Sequence, residues 1–324
     1  MTILGHLAEV VAGLLRDDER RVLLGEDVAD GGMLGLSRDA VKNPALRPRV
    51  LSTPLLPITS FAHAAGLAGA GRHPLVLLPG VGAALEGLTG LREAAAWSWR
   101  NRDSVGTPIA VPLCVVAPCG PGFGLGGDAS EAAATMLASI AGLTVLCAGR
   151  AEEAGAWLRA AAEHAVTHGP TVLLLPRRVL LGAVSGPPAQ SLGRDPTSPH
   201  RVREGETVTV LSWGAALSIA TAAVEATGVD ATVIDVGCLS PLPRAALEAE
   251  AKATGRIVIV HAGPRTGGIG AELAASFADA AILHLDAPVV RVAGADSPLR
   301  PADEGDAVPS VERVAKAIER IASY

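Results

Sequence analysis

Aromatic side chains are scarce in this 324-residue chain, which has three Phe, four Trp and one Tyr, 2% of its residues. It also lacks any run of Lys or Arg, and its net charge is −6, so the stacking platforms and basic footprint of a nucleic-acid binder are missing. Cysteine is sparse too. Cys114, Cys119, Cys147 and Cys238 form no CxxC pair, which argues against a zinc site or a disulfide framework and leaves them as small buried hydrophobes. No apolar stretch reaches about 18 residues free of charge and of Pro/Gly breaks, so nothing is required to span a membrane. Asp17-Asp18-Glu19-Arg20-Arg21 interrupts the N-terminal segment, which has no secretory signal pattern, and a cytoplasmic protein is expected.

Hydrophobic residues, by contrast, make up 49% of the chain, enough for two ordinary cores. Short apolar runs alternate with longer Ala/Leu segments of helical spacing, the pattern of a parallel sheet covered by helices on both faces. Residues 21–24, 75–78, 113–117, 144–147 and 171–175 read as buried strands, since they do not alternate. Residues 3–15, 58–68, 88–101, 129–140 and 151–167 read as helices between them. Residues 182–200, GAVSGPPAQSLGRDPTSPH, have the Pro, Gly and Ser content of a linker. The same grammar then restarts, with strands at 207–212, 231–235, 257–262 and 289–292 and helices at 215–227, 244–254, 270–278 and 311–321. The expected fold is α/β with two doubly wound domains, residues 1–181 and 201–324.

Open parallel sheets bind ligands outside the carboxyl ends of their strands. The first candidate there is Glu26-Asp27, in LLGEDVADGG, although an acid in that place also serves simply to cap a turn. CGPGFGLGGDASEAAATML joins a strand to a helix through a glycine-rich loop, with Asp128 or Ser130 as N-cap and Glu131 in the first turn. It is neither a Walker A loop nor a dinucleotide fingerprint. HAGPRTGGIGAELAASF repeats the arrangement, with Glu272 near the helix start. A helix N-terminus of this kind can hold an anion, although a tight turn without a ligand is more common. His164 and His168, four apart, can reach one metal, but no third ligand is nearby in sequence, and exposed histidines at a helix end are the plainer reading.

Ten segments in register, over essentially the whole chain, resemble the β subunit of the thiamine-diphosphate-dependent E1 component of 2-oxoacid dehydrogenases (pyruvate, branched-chain and acetoin types), a relative of transketolase. Among them are LLGEDVADGG at 23–32, STPLLP at 52–57, HAAGLAGAGRHPLV at 63–76, VPLCVVAPCGPG at 111–122, VREGETVTVLSWG at 202–214, VIDVGCLSPL at 233–242 and TGGIGAELAA at 266–275. The resemblance implies a pyrimidine-binding transketolase-like domain followed by a transketolase C-terminal-like domain. It also implies thiamine diphosphate with Mg²⁺, held mainly by a partner E1α-like subunit in an α₂β₂ heterotetramer, and an acyl acceptor such as a lipoyl domain or carrier protein. On this chain the cofactor-facing positions would be Leu55, Pro57, Gly80 and Ala83.

The resemblance departs from the family at the residues that carry its chemistry. Family members have a Glu at the position of Pro57, where it hydrogen-bonds N1′ of the cofactor's aminopyrimidine. Proline has no side-chain donor or acceptor and no N–H, so it cannot replace that acid. The family's catalytic His falls near Gly127, in Gly126-Gly127-Asp128-Ala129-Ser130. The segment matching the family's potassium loop holds Ala165, Val166 and His168, with His168 where Asp is usual. Two readings follow, beside a third in which the chain is a stand-alone small-molecule binder that uses its glycine-rich loops. The chain is half of a thiamine-diphosphate enzyme that uses Glu26, Asp27 or a partner residue as its acid, or it is a scaffold or regulatory subunit of the same fold that needs no cofactor.

Overall fold

The computed structural model describes residues 2–101, 111–127, 133–182 and 187–324. The first part of the chain supplies strands β1 (Arg21–Gly25), β2 (Val50–Ser52), β3 (His73–Leu77), β4 (Cys114–Cys119), β5 (Thr144–Cys147) and β6 (Thr171–Pro176). Every residue of β1, β3, β4, β5 and β6 is buried, as a sheet covered on both faces requires. The cover comes from α1 (Ile3–Asp17), α2 (Arg38–Lys42), α3 (Pro57–Gly69), α4 (Val81–Glu86), α5 (Leu88–Asn101), α6 (Ala134–Ala138), α7 (Ala154–His168) and α8 (Arg177–Leu180). One face packs under α1, α2 and α7 through Leu7, Val11, Trp157 and Leu158; the other packs under α3, α5 and α6 through Phe61, Leu91 and Leu137. The helix read at 129–140 begins outside the described residues and is seen here as α6.

The second part adds β7 (His200–Arg203), β8 (Val208–Ser212), β9 (Ala231–Asp235), β10 (Cys238–Ser240), β11 (Ile257–Pro264) and β12 (Val290–Gly294). Its helices are α9 (Leu217–Thr227), α10 (Arg244–Thr254), α11 (Ile269–Ala280) and α12 (Val311–Ala322). Four of these strands are parallel in the order β12-β11-β8-β9, with β7 antiparallel on the edge.

The two sheets are not independent. β10 leaves the second unit and pairs antiparallel with β5, giving a seven-stranded sheet in the order β10-β5-β6-β4-β3-β1-β2. One apolar cluster runs from Phe61 and Leu91 through Trp213 and Ile234 to Leu273 and Phe277, so burial is shared between both units. The stretch read as a linker is strapped to the first unit: Arg194 donates to both carboxylate oxygens of Glu153, and the Ala189 amide donates to the Glu152 carbonyl.

Helix α12 closes the other face of the second sheet with Val314, Ile318 and Ile321. Its N-cap is Ser310, whose hydroxyl accepts from the Arg313 amide at 3.2 Å. Ser310→Ala should lower stability by about 1 kcal/mol, the usual value of such a cap, as a reduced urea midpoint with unchanged slope.

Candidate functional site

In the seven-stranded sheet the chain moves outward from β1 to β2 and then returns past β1 to lay down β3. The β1/β3 boundary is therefore the point where successive connections diverge, the place where an open parallel sheet leaves a crevice. The carboxyl ends of β1, β2, β3 and β4 meet there. Gly25 ends β1 at φ +153, and a Cβ on it would lie 2.2 Å from the Leu77 carbonyl oxygen, so only glycine lets β1 close on β3. The end of β2 is tied to the same point: the Thr53 amide donates to the Gly25 carbonyl at 2.9 Å and the Ala29 amide to the Ser52 hydroxyl at 3.0 Å.

Glu26 is half-buried at this point, while Asp27 is exposed and sits in the left-handed region at φ +54. Burial raises the Glu26 carboxyl above the ordinary range, and the charges of Asp27 and Glu86 push it the same way. No sequence motif marks Glu86. It ends α4, and the next residue explains how it arrives. Gly87 packs so closely that an added Cβ would stand 2.3 Å from the Phe61 ring and 3.2 Å from the Pro57 carbonyl carbon, drawing the end of α4 onto α3. The arrangement gives this edge a carboxyl that keeps its proton more readily than an exposed acid does.

Pro57 is the first residue of α3, where a missing N–H leaves no bond unmade. It is buried. Next to it the Ser60 hydroxyl donates to the Thr53 hydroxyl at 3.0 Å, which fixes the turn. Leu55 is 81% exposed, and Leu56 and Ile58 are exposed with it, so the turn presents an apolar lip at the crevice. Gly80, extended at φ −176, precedes α4; a Cβ there would sit 3.0 Å from Nη2 of Arg177. Ala83 is half-buried one turn along. Glu26, Asp27, Leu55, Pro57, Gly80 and Ala83 are thus placed along one edge of the sheet.

The glycine-rich loop after β4 is held by a residue far away in sequence. Glu304 accepts from the amides of Gly122 and Gly124 through Oε2, both at 2.9 Å, and from Gly126 through Oε1 at 2.8 Å. The Gly127 amide donates to the Leu299 carbonyl at 2.8 Å. Asp128, Ala129, Ser130 and Glu131 lie outside the described residues.

Ala165, Val166 and His168 lie at the other edge. They form the last turn of α7, which leads into the amino end of β6, and the Ala165 carbonyl accepts from the Gly169 amide at 3.2 Å. His168 is exposed, but His164 is half-buried and stacks on it with ring centres 4.2 Å apart. Burial and the neighbouring His168 push His164 down to about 4. Among the described residues no group of three or more His, Cys, Asp or Glu is placed to hold a metal ion. Two glycines of HAGPRTGGIG serve packing: Cβ atoms on Gly268 and Gly270 would lie 3.0 and 2.6 Å from the His261 ring, which stacks on Trp213. Glu272, in the first turn of α11, pairs with Arg244. All four cysteines are buried thiols.

A parallel sheet whose connections diverge between β1 and β3, joined to a second α/β unit through β10, has the two-domain architecture of the transketolase type. The family "Transketolase, pyrimidine binding domain" matches residues 1–181, and "Transketolase, C-terminal domain" matches residues 199–314. The chain belongs to this family and is E1 β-like within it. It is 29% identical to the 2-oxoisovalerate dehydrogenase subunit beta of Pseudomonas aeruginosa over 99% of this chain and 95% of that one. It is 30% identical to the pyruvate dehydrogenase E1 component subunit beta-2 of Oryza sativa subsp. japonica over 99% of this chain and 86% of that one. Among solved structures, a split gene transketolase, described as an inactive beta4 tetramer, has the same fold (TM-score 0.76, 20% identity, 100% of this chain and 98% of that one). No helix among the described residues is long and apolar enough to cross a membrane.

Proposed function

We propose that this chain is the β half of a thiamine-diphosphate-dependent E1-type enzyme that decarboxylates a 2-oxoacid and passes the acyl unit to a carrier such as a lipoyl domain. Residues 1–181 would carry the cofactor's ring edge and residues 201–324 the supporting unit. The reading rests on the full-length likeness to E1 β subunits. It is supported by one observation at the site: Glu26, a carboxyl raised by burial, stands at the same sheet edge as the apolar lip of Leu55, Leu56 and Ile58.

That donor set fits one part of the cofactor. An aminopyrimidine ring needs an apolar wall and one acid for a ring nitrogen; Leu55, Pro57, Gly80 and Ala83 would form the wall and Glu26 the acid. When bound, the cofactor supplies the carbon nucleophile and the electron sink for loss of CO₂. Among the described residues no group of three or more His, Cys, Asp or Glu is placed to hold a metal ion, and Mg²⁺ with the diphosphate is assigned to an α chain, in an α₂β₂ assembly. In this scheme Glu26 holds or releases a proton at the ring nitrogen, and the leucine lip excludes water from that edge. Four buried thiols suit a reducing compartment such as the cytoplasm.

The test is decarboxylation of a 2-oxoacid panel with an artificial electron acceptor, using this chain co-purified with its α-type partner, thiamine diphosphate and Mg²⁺. Turnover on one acid is the expected result; a folded, cofactor-saturated complex inert to the whole panel would overturn the reading. The proline at position 57 favours a second reading, a scaffold or regulatory subunit, because that turn carries no acid. Inertness together with intact α/β assembly would favour it.

A further inference from the structure

The loop from Gly120 to Gly127, GPGFGLGG, has little of its own to give it a shape. Gly120, Gly122, Gly124, Gly126 and Gly127 all lie at positive φ, from +47 to +147, and glycine loses more conformational freedom on ordering than any other residue. Its order comes from outside. Three alternate amides converge on the Glu304 carboxylate, a fourth reaches the Leu299 carbonyl, and a Cβ on Gly126 would lie 2.6 Å from Cδ of Pro301. From below, Arg177, only 1% exposed, donates to the Gly120 carbonyl at 3.3 Å and lies 5.3 Å from the centre of the Phe123 ring. Nη2 of the same guanidinium lies against Gly80, at the crevice.

We infer that Glu304 is a latch: its carboxylate fills a ring of backbone amides that would otherwise be an anion site, and so makes the shape of the crevice rim depend on the second α/β unit. Converging amides of this kind bind anions, and here the anion is part of the chain. Through Gly120 and Arg177 the contact extends to Gly80, so movement of the 299–304 segment is transmitted to the site. Glu304 touches no reacting atom; it is a positioning residue. What the rim serves rests on the cofactor reading above, but the latch does not.

The experiment is amide hydrogen exchange on the full chain, without cofactor, in the parent, Glu304→Gln and Glu304→Ala. Losing a charge-assisted bond should speed exchange at Gly122, Gly124 and Gly126 by about tenfold or more, while Val172 and Leu173 at the sheet centre keep their rates. Gln keeps the size but turns an NH₂ group toward one donor, so it shows the effect even where the Ala variant fails to fold. In the Ala variant formate should restore slow exchange, and chloride at equal ionic strength should not. Unchanged loop amides, acceleration shared equally with the strands, or no restoration by formate would each overturn the latch. None of these readouts depends on thiamine diphosphate, so the latch and the cofactor reading fail separately.

Discussion

Glu26→Gln, assembled with the α partner, is expected to lower turnover about 10²–10⁴-fold, the usual contribution of a positioned proton donor. The same change should leave the β chain more stable at neutral pH, not less. Burial and the charges of Asp27 and Glu86 raise the Glu26 carboxyl in the fold, so the folded chain holds this proton more tightly than the unfolded chain does. Its contribution is fully present below the ordinary Glu range and is lost as pH rises through the raised value. A neutral Gln removes that loss and one member of a repelling group. Lost activity with gained stability separates a functional acid from a structural one, because removing a structural acid lowers both. Two measurements check this: kcat on the responsive 2-oxoacid, and thermal unfolding of parent and variant at pH 7. Parent-like turnover in Glu26→Gln would move the acid to Asp27, Glu86 or the α chain.

The sequence reveals the sheet better than the site. Strands such as β4 and β6 announce themselves because a strand covered on both faces is apolar at every residue. β10 does not: three residues between a glycine and a proline carry no period, and their pairing with β5 is set by the docking of the two units. Glu26 is legible because an acid directly after a buried strand falls at the carboxyl edge whatever the rest of the fold does. Glu86 and Glu304 are not. Glu86 reaches the crevice through the close approach of Gly87 to Phe61, and Glu304 reaches its loop across 178 residues. Both placements depend on tertiary packing, which composition and spacing do not encode. The glycine loops show the same limit from the other side. Two similar strand–glycine–helix segments proved different: one rings the Glu304 carboxylate, and the other makes room for the His261 ring.

A large pH effect on stability between about pH 4 and 7 should come from Asp235, at the end of β9 where the second unit meets the first. It is 1% exposed. One carboxylate oxygen accepts from the Gly237 amide at 3.2 Å; the other has no hydrogen-bond partner among the described residues and faces Gly149, where a Cβ would lie 2.8 Å away. Burial, reinforced by the Glu153 carboxylate, pushes Asp235 up to about 7, with Arg194 and Arg150 only partly opposing it. The unfolded chain ionises this group near its ordinary value and the folded chain keeps it protonated, so its contribution is present at low pH. That contribution is lost as pH rises toward 7, by about 1.4 kcal/mol per unit, or about 4 kcal/mol over the whole window. Above that value both states are ionised and the loss stops. Asp235→Asn keeps an acceptor for Gly237 without the charge, so it should be flatter than the parent between pH 5 and 7 and more stable at pH 8. Urea unfolding of both chains at pH 5, 6, 7 and 8 measures the difference. Parallel profiles would mean that Asp235 is ionised in the fold throughout this range. The Arg150–Glu153–Arg194 network would then compensate its charge, and the junction between the two units would be an ionic contact instead of a protonated one.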